Sequence, residues 1–237
     1  ERSIEIQGRL GVDISMCLDE CPPYPCTKDE AANAMRRTHL WAPRNLAARR
    51  DGQSVFGIVQ GGIHKDLRRE SAEYISSLPF EGVAIGGVSV GESTDMQYPV
   101  VQFTAPLLPA NKPRYLMGVG HPQDILHAVS CGVDMFDCVL PTRMARHHAL
   151  YTLQGRVNAL NAKWAEHHGP FDESSIFPAT ERYSAAYIRH FFKAGEPLGA
   201  RLATLHNLAF YARLMEDIRQ AIEVGTWPDL MKKYALA

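Results

Sequence analysis

The amino-acid sequence predicts an α/β fold with a parallel sheet, and two observations lead to this prediction. Short apolar runs alternate with amphipathic, helix-like stretches through the first 140 residues. The runs are continuously apolar, as expected for strands that helices cover on both faces. About five strand–helix units are visible. The sheet is therefore either an open doubly wound sheet or part of a closed barrel, which needs eight units.

The elements follow one another in a regular order. The apolar runs predict strands over residues 13–18, 55–59, 82–85, 115–119 and 135–140. The amphipathic stretches between them predict helices over residues 29–50, 65–77, 95–108 and 122–130. Beyond Pro141 the sequence predicts a hairpin over residues 150–158 that turns at Gln154-Gly155, a loop over 169–180, and helices over about 184–194 and 198–224. Gly225 with Pro228 is a normal stop signal for the last helix.

Composition and charge exclude several classes of protein. The chain has 237 residues, 46% hydrophobic and 22% charged, which rules out a disordered or fibrous protein. Lys and Arg number 25 against 26 Asp and Glu, so any binding to nucleic acid must depend on a local patch. No apolar run reaches the ~18–20 residues that would span a membrane. Five cysteines, an odd number, fit a reducing compartment, so we expect a cytoplasmic protein.

Polar residues and glycines follow every predicted strand, at the edge where parallel β/α folds place their active sites. They are Asp19-Glu20-Cys21, Gln60-Gly61-Gly62, Gly86-Gly87 with the loop to Glu92, Met117-Gly118-Val119-Gly120, and Asp134 and Asp137 with Thr142-Arg143. Carboxylates here can act as nucleophiles, as general bases or as acceptors for a base edge, and glycines let backbone N–H groups approach a flat ligand. The alternative is that these acids cap the following helices.

Asp137 and Asp19 each lie within an apolar run, where a carboxylate is costly to bury unless it has partners. A buried structural aspartate is the alternative. Arg143 and Arg146 form a predicted short basic loop that would suit a phosphate or an anticodon base, the alternative being an ordinary solvated loop. The pairs His147-His148 and His167-His168 lack spaced partner ligands, so we predict no metal site there.

Several longer motifs resemble those of the tRNA-guanine transglycosylases, the queuine/preQ1 tRNA-ribosyltransferases, in their bacterial form. These motifs are FGIVQGG (residues 56–62), AIGGVSVGE (84–92), RYLMGVG (114–120), GVDMFDCVLPTR (132–143), YIRH (187–190), GE (195–196) and TLHN (204–207). They cover almost the whole chain in order. The resemblance implies a (β/α)8 barrel with inserts, of which about the last five units are present: barrel units in 1–148, an insert in 149–183 and C-terminal helices in 184–237 of a single catalytic domain.

The resemblance also implies a reaction and its partners. Such an enzyme exchanges guanine at the wobble position of a tRNA with a GUN anticodon for preQ1, in queuosine biosynthesis, and forms a homodimer. Asp137 would be the nucleophile that attacks C1′ of the ribose and forms a covalent ribosyl–enzyme ester, which the incoming base displaces. The same resemblance assigns base binding to Asp19, Gln60, Gly87, Cys21, Val90, Met117 and Glu92. It assigns tRNA contacts to Gly118, Val119, Gly120, His121, Pro122, Gln123, Asp124, Thr142, Arg143, Met144, Ala145 and Arg146.

Two departures from the family pattern matter. Family members carry a long segment before the part that matches Glu1, with an aspartate that serves as general acid and base, a role typically worth ~10²–10⁴ in rate. Family members also hold a structural zinc with three cysteines and a histidine. Here Ser175, Phe177 and Thr180 occupy the cysteine positions and only His206 remains, so we predict that zinc is absent.

A rival hypothesis from another class is a non-catalytic, tRNA-binding paralogue that partners an active subunit. Asp19, Gln60 and Asp137 are all present, and a degenerate subunit has no chemical reason to keep all three, so the sequence favours the enzyme. A third option, a glycosidase on an open sheet, lacks further paired acids.

Overall fold

The computed structural model describes residues 1–173 and 182–234, and the chain forms two units. The first unit holds Glu1–Val119 and His127–Asp137, and the second holds Gly120–Leu126 and Cys138–Ala237. Over the described ranges, no helix is both long and apolar enough to cross a membrane.

Five parallel strands form the sheet of the first unit. They are β1 (Ile14–Met16), β2 (Ser54–Val59), β3 (Gly82–Ile85), β4 (Arg114–Leu116) and β5 (Met135–Phe136). Each strand pairs with the next one along the chain, in the order β1-β2-β3-β4-β5. A doubly wound sheet reverses its strand order at a switch point, whereas a barrel does not. The order therefore confirms an α/β fold of the barrel type with five units.

One helix precedes β1, and further helices connect or follow the strands of this sheet. They are α1 (Arg2–Leu10), α2 (Lys28–Ala47), α3 (Lys65–Ser77), α4 (Thr94–Thr104) and α5 (Pro122–Ser130), which contributes residues to both units. The first helix was not predicted, because Ile4 is its one buried residue and its other positions are mostly polar. A capping box begins α2, with Thr27 and Glu30 each bonded to the other's backbone N–H. The predicted helix over 95–108 ends at Thr104, and a short 3-10 helix follows.

The core of the first unit lies between strands and helices. All four residues of β3 are buried, as are Val55 to Val59 of β2. Ala72 and Ile75 of α3 pack in the same core. Burial of consecutive strand residues confirms that both faces of the sheet are covered, which is what the continuous apolar runs predicted.

The second unit combines a hairpin with helices. Its elements are α6 (Leu140–Arg146), β6 (Ala149–Thr152), β7 (Gly155–Asn158), α7 (Ala185–Lys193), α8 (Pro197–Val224) and α9 (Trp227–Lys233). Leu150, Trp164, Phe171, Ile188 and Leu202 form its core. The hairpin turns at Leu153-Gln154, since Thr152 pairs with Gly155, so the predicted turn is one residue too late.

One further prediction in the second unit is wrong, and the predicted end of the long helix is confirmed. The segment with Arg143 and Arg146 is helix α6 and not a loop, because Pro141 at its start favours helical backbone. Helix α8 does end at Gly225, in left-handed conformation, but Pro228 then lies in the first turn of α9. Of the predicted loop over 169–180, residues 174–180 lie outside the described residues.

Candidate active site

The carboxyl edge of the sheet in the first unit brings together most of the predicted site. Asp19, Gln60, Gly87, Met117 and Asp137 lie one to three residues beyond the ends of β1 to β5, respectively. We call these residues the rim. Asp134, which was predicted there, lies at the opposite edge: it precedes β5, and its carboxylate accepts the Arg114 N–H at 2.8 Å.

Asp19 and Gln60 form a hydrogen-bonded pair on the rim. The Gln60 amide nitrogen donates to Asp19 Oδ2 at 2.6 Å, and Gln60 is fully buried. Burial raises the pKa of Asp19, while the bond from Gln60 opposes this rise. Gln60 Oε1 is buried without a hydrogen-bond partner. Since a buried orphan acceptor is costly, the pair is suited to a planar ligand that presents N–H donors.

Helix α2 fixes the backbone on either side of Asp19. Asn45 Oδ1 accepts the Leu18 N–H at 3.2 Å, and Thr38 Oγ1 accepts the Glu20 N–H at 3.0 Å. Both side chains are buried. These polar residues hold the segment that leaves β1, and sequence analysis missed both because they lie within a helical stretch without any site motif.

Asp137 binds two donors with the same carboxylate oxygen. Tyr115 donates its hydroxyl to Asp137 Oδ1 at 2.6 Å, and the Gly118 N–H reaches the same atom at 2.9 Å. Neither bond uses Oδ2. Burial and the bond to the Asp137 carboxylate raise the pKa of Tyr115, so the phenol stays protonated as a donor. The arrangement orients one oxygen and leaves the other available for chemistry.

The surroundings of Asp137 differ from the prediction. The side chain is exposed and does not lie buried between its apolar neighbours, so its charge incurs little desolvation in this chain. Tyr115 was not predicted as a site residue. The position of Tyr115 beside Asp137 follows from the strand register, which pairs Tyr115 with Met135, two residues before Asp137.

The Glu92 side chain binds the backbone of the loop in which Glu92 itself lies. Its carboxylate accepts the backbone N–H groups of Ser89 and of Val90, the latter at 3.0 Å. Ser89 adopts a left-handed φ of 64°, and its hydroxyl donates to the Gly118 carbonyl at 3.0 Å. Val90, Glu92 and Gly87 line a small pocket. Cys21 is an exposed free thiol beyond β1.

The segments predicted to contact tRNA fall in both units. Gly118 and Val119 belong to the first unit, and residues 120–124 belong to the second, where Pro122 begins α5. In the second unit Tyr211 donates to the Gly120 carbonyl at 2.6 Å. Within α6, Arg143 and Arg146 are exposed, whereas Ala145 is buried. The two guanidinium groups are therefore accessible to an anion.

The residues at the family's metal position do not fit a zinc ion. His206 is buried, its Nε2 bonds the Tyr151 carbonyl at 2.8 Å, and its Nδ1 has no partner. Burial lowers the pKa of His206, which favours the neutral ring. Ser175, Phe177 and Thr180 lie outside the described residues and are not thiolate ligands. Over residues 1–173 and 182–234, no group of three or more His, Cys, Asp or Glu is placed to hold a metal.

The fold and the rim define a β/α-barrel protein with a carboxylate-lined site at the carboxyl ends of its strands. The sequence model of one family, described as queuine tRNA-ribosyltransferase, matches residues 1–237. This chain therefore belongs to the queuine tRNA-ribosyltransferase family.

Curated proteins with this name are close in sequence. The queuine tRNA-ribosyltransferase of Herpetosiphon aurantiacus is 53% identical over 223 residues, which are 94% of this chain and 57% of that protein. The protein of the same name from Halalkalibacterium halodurans is 52% identical over 224 residues, 94% of this chain and 59% of that protein. The one from Bacillus subtilis is 49% identical over 236 residues, 99% and 62% respectively. The chain thus spans about three fifths of the length of these relatives.

Proposed function

We propose that this chain carries the nucleophile and the base-binding rim of a tRNA-guanine transglycosylase. The reaction exchanges guanine at the wobble position of a tRNA with a GUN anticodon for preQ1. The observation that carries the proposal is the asymmetric Asp137 carboxylate, with two donors on Oδ1 and neither on Oδ2. The names of the relatives support the same reaction class.

In the first step, Asp137 Oδ2 attacks C1′ of the ribose and the bond from C1′ to the guanine nitrogen breaks. Guanine leaves with the bonding electron pair and takes up a proton, and an ester joins Asp137 to the ribose. In the second step, the corresponding nitrogen of preQ1 attacks C1′, loses its proton, and releases the carboxylate. Two inversions at C1′ retain the configuration, as in retaining glycosidases.

The described rim supplies nucleophile and recognition groups, and proton transfer needs a further group. The family resemblance assigns it to an aspartate upstream of the segment that matches Glu1. Tyr115 and the Gly118 N–H act in the second step. Their bonds to Oδ1 stabilise the Asp137 carboxylate when preQ1 displaces it from C1′.

Base recognition in this proposal depends on acceptors. Ionised Asp19 has Oδ1 available beside the Oδ2 that Gln60 binds, and Gln60 Oε1 is a second acceptor. Guanine and preQ1 both present a ring N–H and an exocyclic amine along one edge, which matches closely spaced acceptors. Met117, which directly follows β4, offers an apolar thioether side chain to pack on the face of the ring. Cys21 and Val90 border the space for the 7-substituent of preQ1.

Glu92 has a narrower role than the family resemblance implied. Its carboxylate binds the N–H groups of Ser89 and Val90, so it holds the loop that borders the pocket. Contact with the aminomethyl group of preQ1 would have to share oxygens already bound to the backbone. On the tRNA side, exposed Arg143 and Arg146 are suited to phosphate. A homodimer and a cytoplasmic location complete the proposal.

The test is trapping of the covalent intermediate. The chain is incubated with tRNA, quenched in detergent and analysed for a tRNA–protein adduct, whose attachment site is mapped by mass spectrometry. We expect an adduct on Asp137 that is lost in Asp137→Asn and retained in Asp51→Asn, an exposed carboxylate of the same unit. Attachment to Asp19, or guanine exchange retained in Asp137→Asn, would remove Asp137 from the nucleophile role.

A further inference from the structure

Arg68 is a fully buried charged residue that the mechanism above does not use. It lies on the core-facing side of α3, with 1% of its surface exposed. None of the ion pairs among the described residues includes it. Burial lowers the pKa of Arg68 to about 10, so the side chain remains charged at neutral pH. The Glu92 carboxylate attracts this charge without forming an ion pair with it, so the buried guanidinium needs direct hydrogen-bond partners.

Four backbone carbonyls at the carboxyl ends of β2 and β3 supply these partners. Arg68 donates to the carbonyls of Gly62 at 2.7 Å, Val59 at 3.1 Å, Gly86 at 2.6 Å and Gly87 at 3.2 Å. Val59 is the last residue of β2 and Gly62 belongs to the turn after it, and Gly86 and Gly87 belong to the turn after β3. One planar guanidinium therefore joins the two turns that flank Gln60.

These bonds set the direction of the backbone donors on the rim. In a planar trans peptide the C=O and the following N–H point in opposite directions. With the carbonyls of Gly86 and Gly87 turned toward Arg68, the N–H groups of Gly87 and Val88 point away from it. Gly87 holds this orientation with a φ of 65°, and a Cβ at this position would lie 2.3 Å from Gln60 Oε1.

We propose that Arg68 is a positioning residue for recognition of the nucleobase. By binding the four carbonyls, it keeps the backbone at Gly87 and the Gln60 amide in the arrangement that meets the edge of the base. The inference rests on the proposed function, because the base is the ligand whose edge would be read. Arg68 itself is buried beneath the turns and does not contact the base.

Arg68→Lys is the variant that tests this role. Lysine keeps the charge, but its single nitrogen with three donors cannot span four carbonyls of two turns. The matched control is Arg69→Lys, the exposed neighbour on the same helix. Arg68→Gln, which also removes the buried charge, is the second variant if Arg68→Lys fails to fold.

The readouts are guanine exchange kinetics and amide hydrogen exchange. For Arg68→Lys we expect the KM for guanine to rise about tenfold or more, with kcat and the KM for tRNA within about twofold of the parent. Faster amide exchange should be confined to the two turns. Arg69→Lys should match the parent in every measurement.

Three results would overturn the inference. One is an unchanged KM for guanine, and another is an equal change in kcat and both KM values. The third is amide exchange that is unchanged or accelerated throughout the first unit, which would mean a general role in stability. If the parent chain forms no tRNA adduct on Asp137, the proposed function fails. The amide exchange pattern, which needs no substrate, then still decides whether Arg68 positions the turns.

Discussion

The hydroxyl of Tyr115 offers the sharpest test of how the nucleophile is held. Tyr115→Phe keeps the ring and removes one donor, the one at 2.6 Å from Asp137 Oδ1. The Gly118 N–H at 2.9 Å remains on that oxygen. A hydrogen bond to a charged group contributes ~1.5–3 kcal/mol, and the exposure of Asp137 places this one at the low end. At about 1.5 kcal/mol, the loss corresponds to about a tenfold change in rate.

Whether turnover becomes faster or slower follows from the two chemical steps, formation of the ester and its displacement by preQ1. The bond stabilises the carboxylate relative to the ester, so its loss slows release of the carboxylate when preQ1 attacks. We expect kcat to fall about tenfold and the ester to accumulate. The assay combines steady-state exchange with the adduct level after a detergent quench. Tyr74→Phe is the control, since its hydroxyl donates to the His39 carbonyl at 3.3 Å, elsewhere in the same unit. Unchanged turnover and adduct level in folded Tyr115→Phe would refute the reasoning.

Three further predictions concern the rim and the metal position. Burial raises the pKa of Asp19 above its ordinary value, and base recognition needs the ionised carboxylate. The KM for guanine should therefore rise as the pH falls through that raised pKa. A KM–pH profile that stays flat down to the range of an exposed aspartate would contradict this prediction. Gly52→Ala, with φ of 75° and open space around the new Cβ, should lose about 1 kcal/mol of stability in denaturant melts, whereas Gly87→Ala, with φ of 65°, should lose more because its Cβ would meet Gln60; only Gly87→Ala should weaken guanine binding measured by calorimetry. Equal guanine affinity in the two variants would count against the close contact. Elemental analysis of the purified chain should find less than one zinc per molecule, since His206 has no thiolate partners; a full equivalent would mean that the loop over 169–180 supplies ligands in another way.

Sequence analysis predicted the candidate site residues that lie within an apolar run or directly after one. Asp19, Gln60 and Asp137 have such positions, and the topology then places them on one edge of the sheet. Strand β3 and helix α3 have the predicted bounds, because their flanking turns are marked clearly. The family resemblance added roles for these residues, and the geometry of the rim supports a site where the motifs lie.

The features that sequence analysis missed depend on which strands pair, in which register, and on which residues are buried. The contact between Tyr115 and Asp137 needs the register of β4 against β5, which no single segment specifies. Asp134 was placed on the rim although the predicted strand, like β5, begins one residue later at Met135, so a carboxylate at the start of the strand was wrongly grouped with Asp137 at its end. The helix α6 has seven residues, too few for its periodicity to distinguish it from a loop.

Arg68 did leave a signal in the sequence. It lies at the first position of an i, i+3, i+4, i+7 stripe with Ser71, Ala72 and Ile75, all of which are buried. An arginine at a core position of an amphipathic helix conflicts with simple patterning. Such a conflict indicates either a wrong assignment or a polar role, and here four carbonyls resolve it.

The strand order also has a consequence for how this chain folds. Paired residues of neighbouring strands are 40 positions apart between β1 and β2 and 20 apart between β4 and β5. Loops of this length cost less entropy to close than pairings between strands farther apart in the chain would. From β2 to β5, each strand finds its preceding neighbour already made when synthesis proceeds from the amino end. The sheet can therefore grow one strand at a time as the polypeptide emerges from the ribosome.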